Sequence, residues 1–486
     1  MRSFKIYSMQ TGNNCSLLFF LLFCWANLLQ AQSEKEFYTT ATSKYELGKF
    51  EEAIAYYTKA IAAKKSYTYA FYGRGLTYMS IGDYTNALAD FERVVGLNPQ
   101  FINIYYSRGR SKVGLGDYKG GIADFKNAIM SNEMNSYAYV GMGNCLAALK
   151  DYPAALDQLN RSIEIYAGDP QAFLVRGKVY DAMTDYDKAL ADYNKALEMT
   201  PKEPEVYAKR AYTKVKMNNH EGATFDFDKA IALNPDHVSI YLNRAASKEW
   251  LKNYQGAVND YNKAVSLTPQ NTLIYNQRAL VKVKMKEYAA AIQDYDYSIS
   301  LNPNYTEAYI NRGLANGASN NHNAAILDYD KALAIAPDDI RAYFYRGSTK
   351  LEQGDYDGAI KDLSKVIRLD ENHANAYYFR AMAQCKNEKY KSAIQDFDKA
   401  LLLEPQLLAA IKERATAKYL LYDFKGAIQD YTKLIKQGST DGEAYYYRAQ
   451  AKRKAGNTKA ACMDYSKAKD MGYEKASEAL LEHCGG

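Results

Sequence analysis

The chain has 486 residues, 48% hydrophobic and 24% charged, with 46 tyrosines and a formal net charge of +6. Charge of both signs spread along the chain gives no electrostatic footprint for nucleic acid, and six cysteines are too few for a disulfide framework. Length alone suggests about three domains, yet no Pro-, Gly- or Ser-rich linker divides the sequence.

At the N-terminus, Arg2 and Lys5 precede an apolar run from Leu17 to Leu29, and Leu29-Gln30-Ala31 offers a cleavage point after Ala31. The run is too short to span a bilayer comfortably and no acidic residue precedes its end, so residues 1–31 are expected to be a secretory signal. The rival readings are a retained membrane anchor and a lipid on Cys24, where the preceding Phe23 is bulkier than such processing expects. Removing Arg2 and Lys5 leaves 60 Lys+Arg against 56 Asp+Glu, a net charge of +4. The mature chain, with no membrane span of its own, is then expected in the periplasm, at the cell surface or secreted. Cys145, Cys385, Cys462 and Cys484 remain. Cys462 and Cys484, both near the C-terminus, either pair or stay as two free thiols.

Residues 36–472 are one pattern repeated every 34 residues. The clearest copy runs from Pro170 to Pro201, and its Arg176 recurs at Arg74, Arg108, Arg210, Arg244, Arg278, Arg312, Arg346, Arg380, Arg414 and Arg448. Thr40 and Met142 fill the slot in two odd copies, making thirteen in all. Units this short cannot bury a face alone, so a fixed period of this length implies a stack. Phe173, Gly177 and Tyr180 lie on one helical face; Tyr186, Ala189, Tyr193 and Ala196 lie on a second. Asp185 is placed to cap the second helix and Pro201 to end it. The residue after the Arg slot is always Gly or Ala, and the residue thirteen after that slot is Ala except at Gly121. Small residues at facing points let two backbones approach while the rings fill the space beside them.

On Phe173, Gly177, Tyr180, Tyr186, Ala189, Tyr193, Ala196 and Pro201, the repeat resembles the tetratricopeptide repeat family. That resemblance implies an all-α, right-handed solenoid of thirteen helical hairpins. It also implies a concave groove, lined by the first helices, that takes peptides or partner proteins.

Sixteen residues after each Arg stands an Asp, as in Arg176 with Asp192 and Arg312 with Asp328. Where Arg is missing so is Asp: Thr40 goes with Tyr56, and Met142 with Gln158. On facing antiparallel helices both groups fall on the same flank, equally far from the turn, so they are expected to form a structural ion pair that clips each hairpin.

A second stripe on the first helices is aromatic at Tyr38, Tyr72, Tyr106, Phe344, Tyr378 and Tyr446. Midway Val140, Leu174, Ala208, Leu242, Asn276 and Ile310 fill the slot, and Lys412 fills it near the end. These rings are the candidate partner contacts; packing on the adjacent repeat is the competing explanation, and stacking on glycans is a second use. Lys112, Lys214, Lys248, Lys282, Lys350, Lys418 and Lys452 replace the aromatic seen at Tyr180. Their stems are expected to lie over apolar surface with the ammonium in water, or to meet an anionic partner. Copy four ends in Ala167-Gly168-Asp169-Pro170; tolerated drift is the ordinary explanation of such a unit, and a hinge or docking point is the alternative.

No phosphate-binding Gly-rich loop, zinc-binding His-Glu-x-x-His helix or Gly-x-Ser-x-Gly elbow occurs. His220 and His322 occupy ring slots, and the other histidines are scattered. The expectation is a non-enzymatic scaffold without metal or cofactor. Residues 473–486 are expected to form a capping helix and tail, with Ala476, Ala479, Leu480 and Leu481 laid on the last hairpin.

Overall fold

A computed structural model of the protein describes residues 33–437 and 442–485. The expected signal, residues 1–31, lies outside the described residues. Among these there are twenty-seven helices and no strand: the helix at residues 33–46, then a run from Phe50–Ala63 to Lys475–Cys484. The chain divides into two compact units, up to Ile240 and from Tyr241 onward. Within each unit every hairpin pairs a first helix, such as Pro170–Ala182, with a second, such as Tyr186–Met199. The second helix also packs on the first helix of the next hairpin.

The close approach at the small slots is direct. A Cβ on Gly177 would sit 2.7 Å from the Tyr193 ring, one on Gly75 2.6 Å from Phe91, and one on Gly313 2.6 Å from Tyr329. The residues sequentially equivalent to Tyr193, including Phe91, Phe125, Phe227, Tyr295 and Tyr431, are fully buried and form the centre of each hairpin. Removing such rings from water is the main favourable contribution, on the order of 2 kcal/mol or more each.

Each turn reverses through one residue with positive φ, and that residue also recurs every 34 positions. Glycine holds it at Gly48, Gly82, Gly116, Gly354 and Gly456, whereas Lys150, Thr184, Asn218, Lys252, Lys286, Asn320, Glu388 and Tyr422 adopt it with a Cβ. The following amide reaches back to the end of the first helix, as in Asp185 N–H to Tyr180 O at 2.9 Å, which satisfies carbonyls that the helix leaves open. Asp185 then caps the second helix by accepting from Lys188 N–H, as Asp83 does from Asn86 N–H.

The C-terminal helix Lys475–Cys484 covers the last hairpin with Ala476 and Ala479, which are buried. One residue departs from expectation: Leu481 is 80% exposed, because the helix turns its Ala476–Ala479–Leu480 side inward and Leu481 falls outside that arc. Cys462 and Cys484 form a disulfide, which ties this helix to the preceding one, Thr458–Asp470. Cys145 and Cys385 are free, and burial pushes both thiols up to about 12.

Two outcomes are expected. Glu388→Gly should raise the urea midpoint by the equivalent of about 1 kcal/mol, since the left-handed conformation costs a residue with a Cβ about 1–2 kcal/mol and glycine loses part of that in chain entropy. An unchanged or lower midpoint would contradict this. Reduction of Cys462–Cys484, which closes a loop of 22 residues, should lower the local stability of helix Lys475–Cys484 by about 3 kcal/mol. Amide hydrogen exchange across that helix, with and without reductant, reads the change.

Candidate functional site

The recurring Arg and Asp meet in every hairpin that carries them. Arg176 Nε and Nη2 each donate to one oxygen of Asp192, at 2.8 and 2.7 Å, and Arg210 does the same to Asp226 at 2.8 and 2.6 Å. Arg312 reaches Asp328 through Nε at 3.1 Å and Nη2 at 2.6 Å. The carboxylates are buried; the Asp226 side chain is 0% exposed. The hydrogen bond to Asp192 holds the Arg176 guanidinium above arginine's usual range, against the opposing effect of burial. In most hairpins an aromatic ring three residues earlier covers the guanidinium, as Phe173 covers Arg176 with its centroid 5.4 Å from Cζ; Ile411 stands there before Arg414.

The lysines are not free stems. Lys112, Lys214, Lys248, Lys282, Lys350, Lys418 and Lys452 each place Nζ 2.7–2.9 Å from the Asp that the arginine of the same hairpin already holds. This corrects the expectation of solvated ammonium groups. Asp lies between the two like charges, and a buried carboxylate has lone pairs for both cations. In the ninth hairpin Asn316 Nδ2 takes the lysine's place, 3.1 Å from Asp328.

A third connection joins successive hairpins. Arg Nη1 points backward to the residue sixteen earlier, on the second helix of the preceding hairpin. In the first unit Arg74 reaches Thr58, Arg176 reaches Asn160 and Arg210 reaches Asn194. In the second unit Arg278 reaches Asn262, Arg346 reaches Asp330 and Arg414 reaches Asp398. The arginine therefore fastens its own hairpin and joins it to the previous one. No sequence signal marks this partner beyond its spacing, because Thr, Asn, Ser and Asp all serve.

The stripe rings are half-buried rather than free. Tyr38, Tyr69, Phe101 and Tyr72 form a continuous row in the first unit, with centroid spacings of 6.5, 5.2 and 4.9 Å. Tyr106 leans on buried Phe125 at 6.0 Å. In the second unit Phe344 meets Phe379 at 5.5 Å, Phe379 meets Tyr378 at 5.2 Å, and Tyr446 meets Tyr473 at 4.9 Å. Phe101 is buried, whereas Tyr38, Tyr72, Tyr106, Phe344, Tyr378 and Tyr446 pack on their neighbours and still present part of their surface to solvent. The midway slots differ: Val140, Leu174, Ala208, Asn276 and Ile310 are buried. The aromatic clustering read from the sequence therefore corresponds to two stretches of accessible ring surface, one in each unit.

A cavity of about 500 Å³ opens on this first-helix face in the first unit, lined by Tyr106, Arg110, Tyr137, Val140, Gln171 and Asp169 among others. Among the described residues no group of three or more His, Cys, Asp or Glu is placed to hold a metal ion.

Models of the tetratricopeptide repeat match residues 38–100, 134–202, 204–237, 238–271 and 276–340, more than half of the chain. A model described as anaphase-promoting complex, cyclosome, subunit 3 matches residues 318–400. No curated protein sequence matches significantly. Similar solved structures include the anaphase-promoting complex hetero-tetramer Cut9–Hcn1, at 14% identity over 86% of this chain and 96% of that one, with a TM-score of 0.40. Yeast Tom70 aligns at 18% identity over 93% and 100%, with a TM-score of 0.38. A tetratricopeptide repeat protein from Parabacteroides merdae ATCC 43184 aligns at 21% identity over 57% and 97%, also with a TM-score of 0.38.

Loss of one partner of a buried pair is more damaging than loss of both. Arg312→Met should destabilise by about 3–5 kcal/mol, because Asp328 keeps its charge with only Asn316 beside it. Adding Asp328→Asn should restore at least about 1 kcal/mol. Urea denaturation of the parent, both single variants and the double variant measures this, and a double variant less stable than Arg312→Met alone would contradict the pairing.

Proposed function

This chain belongs to the tetratricopeptide repeat family, and from that premise we propose that it is an exported scaffold that docks a protein segment along the first-helix face of its hairpins. Members of this family generally bind protein or peptide partners. The observation that carries the finer reading is the row of half-exposed rings. Tyr72, Tyr106, Tyr378 and Tyr446 are held by rings behind them, so they would enter a complex with little further loss of freedom. Aromatic side chains of this kind supply contact area together with a polar edge. The rigid backing comes from the hairpin core, and the spacing of contacts comes from the 34-residue repeat.

Export is supported by two independent features. Arg2, Lys5 and the run Leu17–Leu29 have the order of a cleavable signal. The Cys462–Cys484 bond is of the kind that persists in an oxidising compartment. No described helix is long and apolar enough to cross a membrane.

The test is capture from an envelope extract with the chain from Gln32 onward as bait, beside a variant with Tyr72, Tyr106, Tyr378 and Tyr446 changed to Leu. Leucine retains apolar packing against the rings behind, so the variant is expected to keep its melting temperature within a few degrees. Defined proteins held by the parent should fall at least tenfold in the variant. Equal retention by both would remove the rings from the interface, and saturable binding of soluble oligosaccharides instead would favour a glycan reading. For export, the first residue of the protein recovered from the envelope fraction should be Gln32; a chain still starting at Met1 in the cytoplasm would contradict it.

A further inference from the structure

The irregular end of copy four supplies a group that the solenoid does not use. Asp169 precedes helix Pro170–Ala182 and is 5% exposed. Its Oδ1 accepts from Gln171 N–H at 3.0 Å, which caps the helix. Its Oδ2 has no partner in the chain. The contrast with the other buried aspartates is sharp, since each of the ladder carboxylates is bonded by an arginine and seven of them by a lysine as well.

Capping does not require this charge. At the equivalent position one and three repeats away, Asn135 and Asn271 cap their helices with a neutral amide. Five repeats on, Asp339 occupies the slot, is less buried, and has Arg341 Nη2 3.3 Å from its Oδ2. Asp169 alone among these combines burial, a carboxylate and no cation. Removing a carboxylate from water without a partner is unfavourable, and burial pushes its pKa up from the usual carboxylate value. A group kept in that condition at a cavity wall is prepared for a donor brought from outside.

The surroundings narrow the donor. Asp169 lines the 500 Å³ cavity with Tyr106, Tyr137 and Val140, which offer ring and aliphatic walls. Arg110 is exposed at the same cavity, 5.8 Å from the Tyr106 ring centroid. We propose that this cavity is a binding site for a lysine side chain of a docked protein segment, its stem between Tyr106, Tyr137 and Val140 and its ammonium donating to Asp169 Oδ2. An alkyl stem ending in three donors suits a cavity with ring and aliphatic lining and an unpartnered buried carboxylate oxygen. Arg110 offers donors to the carbonyls that flank the lysine. This inference rests on the docking reading above and adds to it a preference for a basic residue at one point.

The test is calorimetric titration of the chain from Gln32 onward with an N-acetylated, C-amidated Gly-Gly-Lys-Gly-Gly peptide. Comparison uses the same peptide with norleucine for lysine, free n-butylamine, and the Asp169→Asn variant. Asparagine keeps the cap, as Asn135 and Asn271 do, so the variant should melt with the parent. Saturable binding of the lysine peptide is expected, with at least a tenfold loss on either change and weaker binding of n-butylamine. Equal affinity for the norleucine peptide, equal affinity of Asp169→Asn, or no saturable binding would overturn the site. Binding of n-butylamine as tight as that of the peptide would overturn the protein segment as the occupant. Failure here alongside ring-dependent partner capture would sink the lysine site alone, whereas Asp169-dependent peptide binding without ring-dependent capture would sink the wider docking surface.

Discussion

The structure depends on a buried carboxylate repeated every 34 residues. A lone aspartate inside a hairpin would be costly, so each one requires cations, and arginine supplies them with a planar fork that fixes both position and orientation. That fork has one more nitrogen than the aspartate needs. It reaches the preceding second helix, as in Arg346 to Asp330, and so the group that closes a hairpin also sets its distance from the last. Lysine enters where an additional positive charge can share the same oxygen atoms. The small slots beside the arginines then let backbones approach, and the buried rings fill what remains.

This division of labour leaves one stripe of the first helices with a duty that differs from copy to copy. The arginines lie on one flank and the core rings on another, so the stripe two residues before each arginine varies from copy to copy. Where it carries Tyr or Phe, rings support one another from repeat to repeat. Where it carries Val140, Leu174 or Ile310, the slot is covered. Variation in the stripe leaves ring surface accessible only in some copies, and the irregular fourth copy varies likewise in a charged residue.

Much of this was legible in the sequence, because it depends only on spacing. The period, the paired helices, the small slots and the co-occurrence of Arg with Asp need no knowledge of neighbouring hairpins. What escaped sequence reasoning depends on three-dimensional detail. The positive-φ turn was hidden because Lys, Thr, Asn, Glu and Tyr hold a slot for which glycine is the usual signal. The lysines looked like solvated charges because their distance from Asp is set across the hairpin. Leu481 was misplaced by an arc of one helix, and the exposure of the rings is decided by residues one repeat away, such as Phe101 beneath Tyr72.

On the proposed docking surface, partners lie on the first helices and not on the solenoid's other surfaces. Hydrogen exchange of the chain with and without a captured partner tests this directly. Protection is expected on helices bearing the stripe rings, including Thr68–Ser80 and Ala374–Lys386, with little change in second helices such as Tyr84–Leu97 and Tyr390–Leu403. Protection confined to the second helices would contradict docking on the first helices.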